Sequence, residues 1–325
     1  MDETRSGLSA KVAVVIPCFK PGNQLLHVIN SIGPEVDMII IVDDASPKPS
    51  VTNLIAQVTD LRLTVLTHIQ NQGVGAAMRS GYLEALKMGA DYVVKIDSDG
   101  QMDPKLIPKF LAPLITGKHD YSKGNRFFNV EDLLKMPKHR IIGNLILSFF
   151  CKFSSGYWNI FDPNNGYTAI TREKLEEIPL QKVSDRYFFE SDMLFRLYLT
   201  GASVIDVPMK AQYDDEQSHL RVWKVLFEFP LRHSRNFMKR ITYTYFIRDF
   251  SLASIELVVG TFLTLFGLIF GLYNFIHSGA NNISTPTGTL ILISMCFLSG
   301  LQLLLGFFAF DMQSISKFKR ASHNQ

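Results

Sequence analysis

The apolar positions of this chain change their period along its length. Residues 12–17, 38–42, 61–66 and 92–96 are short apolar runs of strand length. Between them, 24–32 and 76–88 carry apolar residues at helical spacing. Strands alternating with helices predict an α/β domain with a mostly parallel sheet and covered faces. Towards the other end the apolar pattern becomes continuous. Residues 257–276 are 20 positions without a charge, and 289–310 are 22. About 20 apolar residues cross a hydrocarbon core, so the two runs predict a transmembrane hairpin. Ahead of them, 221–240 mixes aromatic and aliphatic residues with seven basic ones, His233 included. That mixture predicts an amphipathic helix on a membrane surface. The expected organisation is an α/β domain over 1–218, a juxtamembrane helix over 219–245, and a hairpin with a short tail over 246–325.

Charge sets the expected orientation. The connector 277–288 has no Lys or Arg, whereas Arg235, Lys239, Arg240 and Arg248 precede the first span and Lys317, Lys319 and Arg320 follow the second. The positive-inside rule then makes this an integral membrane protein with the catalytic domain and both termini cytoplasmic. Glu256 and Asp311 bracket the spans and read as solvated interface charges. Gln302 can bond across the hairpin, and Gly260, Gly267 and Gly271 can pack against other copies, which allows a homo-oligomer. A net charge of +3 over 325 residues makes no case for a nucleic-acid partner. Three cysteines, at 18, 151 and 296, have no metal-ligand spacing and suit a reducing compartment. The polar first ten residues, with two acids, do not read as a signal peptide.

The candidate chemistry lies at strand ends. The first strand ends in Ile16-Pro17-Cys18-Phe19, the second in Val42-Asp43-Asp44-Ala45-Ser46, and the fourth in Asp97-Ser98-Asp99-Gly100-Gln101. In an open α/β sheet these ends share one edge, where ligands bind. Two carboxylates one residue apart repel unless a cation joins them, and a hard divalent ion takes such a pair together with substrate phosphates. A turn built from Asp, Ser and Gly is the alternative. Asn71-Gln72-Gly73-Val74-Gly75 can turn backbone N–H groups towards an anion, although Met78 stands where a dinucleotide fingerprint needs glycine.

Taken together, these segments resemble the family 2 glycosyltransferases of GT-A fold, in particular the dolichyl- and polyprenyl-phosphate sugar transferases that carry a C-terminal membrane hairpin. The resemblance covers roughly residues 11–240. It implies a nucleotide site of Pro17, Phe19, Asp43, Asp44 and Asp97, and a Mg²⁺ or Mn²⁺ site of Asp97, Asp99 and Gln101. Gly124-Asn125-Arg126-Phe127 is similar to a family strand ending in arginine, which implies that Arg126 reaches a phosphate; guanidinium suits that role. Asp162-Pro163-Asn164-Asn165 resembles an acceptor segment, placing Asp162 and Asn165 beside the sugar. Glu190 and Asp192 fall where inverting members keep a catalytic acid, although capping of the following helix explains them too. The segment 214–220 resembles a phosphate loop, with Ser218 and His219 as contacts; His219 replaces a common lysine, for which Arg221 can substitute.

The implied reaction is inverting transfer from a UDP- or GDP-linked sugar to a polyprenyl phosphate, dolichyl or undecaprenyl. A hydroxyl acceptor would instead make Glu190 or Asp192 indispensable as a base. Gln217-Ser218-His219-Leu220-Arg221-Val222-Trp223 does not match the Gln-x-x-Arg-Trp segment of processive polysaccharide synthases. A non-catalytic membrane scaffold would have little reason to keep Asp97, Asp99 and Gln101 together.

Overall fold

Strands β1 (Val12–Cys18) and β2 (Met38–Asp43) are buried along their whole length, as parallel strands covered on both faces must be. They belong to a seven-stranded sheet of order β3-β2-β1-β4-β6-β5-β7. The other strands are β3 (Leu63–Thr67), β4 (Tyr92–Lys95), β5 (Tyr121–Asn125), β6 (Thr168–Thr171) and β7 (Val204–Pro208). The computed structural model describes residues 10–47, 51–56, 58–128, 138–210 and 222–321. The chain divides into two compact units, Met1–Phe237 and Met238–Gln325.

In the first unit β1 pairs in parallel with β2 and β4, β2 with β3, and β5 with β7. Only β6 is reversed, antiparallel to both β4 and β5. Four helices separate the early strands: α1 (Gln24–Ser31), α2 (Val51–Ile55), α3 (Val74–Lys87) and α4 (Ile107–Ile115). Close approach of α3 to β1 needs Gly81, because a Cβ there would collide with the Val15 side chain. Later come α5 (Lys138–Ser155), α6 (Arg172–Glu177), α7 (Phe189–Leu199) and α8 (Val222–Thr242). The reversal of β6 has a consequence for function. Its start, rather than its end, lies beside the ends of β4 and β5, so the loop before it joins their edge.

The expected amphipathic helix is α8, but some of its residues face protein. The Phe237 ring stacks on Phe153 at 4.3 Å between centroids. His233 is buried, bonded through Nδ1 to Ser154 Oγ at 2.7 Å and packed edge-on to Phe188. Burial pushes its pKa down to about 4, so it is neutral at physiological pH.

The second unit holds α9 (Leu252–Asn281) and α10 (Thr287–Ala321). Both are long and apolar enough to cross a membrane, and only 11% of the most apolar window of each is buried, unlike a core helix. They extend beyond the uncharged runs because backbone hydrogen bonding continues through flanking polar residues. The glycines expected to meet other copies are occupied within the hairpin. A Cβ on Gly260 would lie 3.1 Å from Gly300 O, and one on Gly267 would lie 2.9 Å from Phe297 N. Small residues let the two helices touch backbone to backbone.

Asp311 and Arg240 also depart from expectation. Neither is solvated. Arg240 is fully buried, and its guanidinium forks onto Asp311 at 2.6 and 3.0 Å. Tyr245 donates to the same carboxylate at 2.7 Å. Removing one partner of a buried pair strands the other charge. Asp311→Ala should therefore cost roughly 3–5 kcal/mol, read as a lower unfolding midpoint of the detergent-solubilised protein. Arg240→Met combined with Asp311→Leu should recover most of that loss.

Candidate active site

The carboxyl ends of β1, β2, β4, β5 and β7 and the start of β6 meet at one edge of the sheet. On one side, register pairs Pro17 with Val42 and Cys18 with Asp43, and Asp44 N donates to Cys18 O at 2.8 Å. Phe19 follows with its ring half exposed. On the other side, a cavity of about 90 Å³ is lined by Asp97, Asp99 and Gln101 after β4, Arg126 after β5, and Asn165 and Gly166 before β6.

The donor set of this cavity is oxygen-rich and hard, which fits Mg²⁺ or Mn²⁺. Among the described residues no group of three His, Cys, Asp or Glu side chains could hold a metal. A divalent ion on Asp97 and Asp99 would therefore complete its shell with water or ligand oxygens, as Mg²⁺ commonly does. The Asp99 carboxylate accepts from Gln101 N at 2.9 Å, which fixes the turn between them.

Arg126 and Asp162 form a fork, with Nε to Oδ2 at 2.7 Å and Nη2 to Oδ1 at 3.0 Å. Asp162 is buried while Arg126 lines the cavity. The carboxylate thus orients the guanidinium. Asn165 is buried as well: its Oδ1 accepts from Tyr167 N at 2.9 Å, and its carbonyl accepts from Lys123 Nζ. Asn165 shapes the loop before β6.

Residues 13–179, just over half of the chain, match the Glycosyl transferase family 2 domain. The chain belongs to this family. Among similar proteins is the UDP-N-acetylglucosamine–dolichyl-phosphate N-acetylglucosaminyltransferase of Methanococcus voltae, 28% identical over 68% of this chain and 92% of that protein. Another is the polyprenol monophosphomannose synthase of Mycolicibacterium smegmatis, 28% identical over 61% of this chain and 76% of that one. The fold is shared with the glucosyl-3-phosphoglycerate synthase of Mycobacterium tuberculosis, solved with Mn²⁺, UDP and phosphoglyceric acid. The TM-score is 0.53 at 19% identity, over 71% of this chain and 78% of that one. This glycosyltransferase therefore has the mostly parallel GT-A type of sheet, followed by two long apolar helices.

Both acids of α7 are held by protein groups. Asp192 is buried; it accepts from Ser184 N and Arg196 Nε at 3.0 Å each and from Asn236 Nδ2 at 3.0 Å. Neither it nor Glu190 lines the cavity. Glu190 faces Lys95, whose Nζ is 3.3 Å from Oε1. Lys95 is also 2.7 Å from Asp97 Oδ1 and donates to Gly166 O at 3.2 Å. Burial alone would lower the pKa of Lys95, but Asp97 and Glu190 outweigh it and raise the value. Lys123, equally buried, is pushed down to about 8 by burial, against the pull of Glu190 and Asp162. Both lysines escaped the motif reading. The signal was present in the strand itself: a charge within Tyr92-Val93-Val94-Lys95-Ile96 has to find a buried partner.

Asp44 is turned into the protein. Its Oδ1 meets His68 Nδ1 at 2.7 Å and accepts from Gln72 N at 2.9 Å, while Oδ2 accepts from Gly73 N at 2.7 Å. The anion at the start of α3 is thus an internal one, and Ala76 N is taken by Asp185 O. Gly73, at φ +102°, permits this turn. Asp43 accepts from Ser46 N at 2.9 Å. Ser218, His219 and Arg221 lie outside the described residues. Asp44→Ala leaves two backbone donors and His68 without their acceptor. It should lower stability by roughly 3 kcal/mol, measured by thermal unfolding. A direct contact to a nucleobase predicts instead lost nucleotide affinity at unchanged stability.

Proposed function

We propose that this family 2 glycosyltransferase moves a sugar from a UDP- or GDP-linked donor to a polyprenyl phosphate, dolichyl or undecaprenyl, with inversion at the anomeric carbon. The observation that carries the reading is the cavity joining Asp97, Asp99 and Arg126 at the sheet edge. The names of the similar proteins, which act on dolichyl phosphate or make polyprenol monophosphomannose, support the lipid phosphate as acceptor. The apolar helices α9 and α10 support a membrane substrate.

The site residues divide the work as follows. Pro17, Phe19 and Asp43 border the base and ribose, with Asp44 shaping that wall from behind. Asp97, Asp99 and Gln101 take the divalent cation, which when bound neutralises charge on the diphosphate leaving group. Arg126, aimed by Asp162, binds a phosphate oxygen. Asn165 sets the wall beside the sugar, and Ser218, His219 and Arg221 contribute phosphate contacts. The acceptor phosphate is already an anion, so its oxygen attacks the anomeric carbon without losing a proton to the enzyme. That agrees with Glu190 and Asp192 being held by Lys95, Arg196, Ser184 and Asn236 rather than lining the cavity. We assign the transferase domain to 1–218, the juxtamembrane helix to 219–245 and the hairpin to 246–325. The basic flanks support a cytoplasmic location for the domain and both termini.

The test supplies membranes containing the protein with polyprenyl phosphate, Mg²⁺ or Mn²⁺, and one labelled UDP- or GDP-sugar at a time. The expected product is an acid-labile, organic-extractable lipid whose label depends on metal and on added polyprenyl phosphate. Asp99→Ala should reduce transfer by roughly a hundredfold or more while the hairpin still inserts. Wild-type turnover by that variant would remove Asp99 from the site. Label only in an acid-stable product would replace the lipid phosphate with a hydroxyl acceptor.

A further inference from the structure

Lys95 is a buried cation beside a carboxylate that the reading above gives to a metal. Its ammonium lies 2.7 Å from Asp97 Oδ1, 3.3 Å from Glu190 Oε1 and 3.2 Å from Gly166 O, at 1% side-chain exposure. Gly166 is required for this packing, since a Cβ there would collide with both the Lys95 ammonium and Asp97 Oδ2. Asp97 is therefore never a bare ligand: a divalent cation must share it with a fixed positive charge. Like charges on one carboxylate repel, and in a partly desolvated site that repulsion is not screened away. Among the described residues the only other carboxylate lining the cavity is Asp99, and no third His, Cys, Asp or Glu completes a metal cluster.

We propose that Lys95 is a positioning residue that makes divalent-cation binding conditional on a nucleoside diphosphate. The inference rests on the assignment of Asp97 and Asp99 to the cation. In the nucleotide-free protein the ammonium competes for Asp97 and keeps cation affinity low. A bound diphosphate would add negative charge to the site and offset that competition. Cation and nucleotide then bind cooperatively, and by linkage each raises the affinity of the other by the same factor. Glu190 tunes the device, because it holds part of the ammonium charge away from Asp97.

The experiment is titration of the full-length, detergent-solubilised protein with Mn²⁺, following free Mn²⁺ by electron paramagnetic resonance, alone and with UDP or GDP. Wild type should bind Mn²⁺ weakly alone and much more tightly with one of the two nucleotides. Lys95→Met should tighten nucleotide-free Mn²⁺ binding by about tenfold or more and shrink the cooperativity accordingly. Glu190→Gln, which removes the competing acceptor of the ammonium, should change nucleotide-free binding in the opposite direction. A purely structural Lys95 would make Lys95→Met bind Mn²⁺ no better, or worse, with and without nucleotide alike, and that result overturns the proposal. If Lys95→Met does not fold, Glu190→Gln decides: unchanged or tighter nucleotide-free binding overturns it. If Mn²⁺ binding with either nucleotide is absent in wild type, or survives Asp99→Asn, the cation assignment itself fails and the proposal with it.

Discussion

An ammonium with no access to water has to be neutralised where it stands, and in this protein that requirement organises the site. Lys95 projects from β4 into the interior and is met by Asp97 from its own strand end, Gly166 O from the loop before β6, and Glu190 from α7. Leaving such a charge unpaired costs several kcal/mol. Three separate stretches of chain are thereby drawn to one point. The same contacts commit Glu190 to the ammonium of Lys95, 3.3 Å away, rather than to the cavity lining.

The direction of the strands decides what surrounds that point. Parallel strands deliver their carboxyl ends to one edge, and the single reversal at β6 delivers a loop there as well. The edge therefore receives acids from β4, a guanidinium from β5, and a glycine loop from before β6. Arg126 would be a mobile surface cation without Asp162 behind it. The fork of 2.7 and 3.0 Å converts it into a directed one. Asp44 does comparable work on the other side by tying the start of α3 to the end of β2. In the second unit the same rule operates: Arg240 and Asp311, buried together with Tyr245, exist as a pair or not at all.

Much of this was legible along the chain. The four strands and the helices α1 and α3 to residue 96 follow from hydrophobic period, because a buried element has to present apolar side chains at its own repeat, whereas the short α2 does not. The apolar helices follow from length and the absence of charge, and their low burial distinguishes them from the core helices that could share that pattern. The acids at 97 and 99 are legible because they close a strand, and strand ends in an α/β sheet converge; the arginine at 126 is legible only through the resemblance of its segment to the family's. The sequence alone thus determined the α/β class, the family, the two long apolar helices and the edge where chemistry gathers.

What the tertiary structure decided is which polar groups have other partners. Asp44 carries no local sign that His68, Gln72 and Gly73 will hold its carboxylate, since those contacts come from more than 20 positions away. Asp192 reads as a catalytic acid or a cap until Asn236 and Ser184 are seen on it. Asp311 reads as a solvated charge and Arg240 as a basic flank until 71 residues of chain are folded back. The glycines of α9 read as an outward surface until α10 is laid against them. In each case hydropathy reports whether a residue prefers water, which is a property of one side chain. Pairing is a property of two, and only the fold brings the second one into reach.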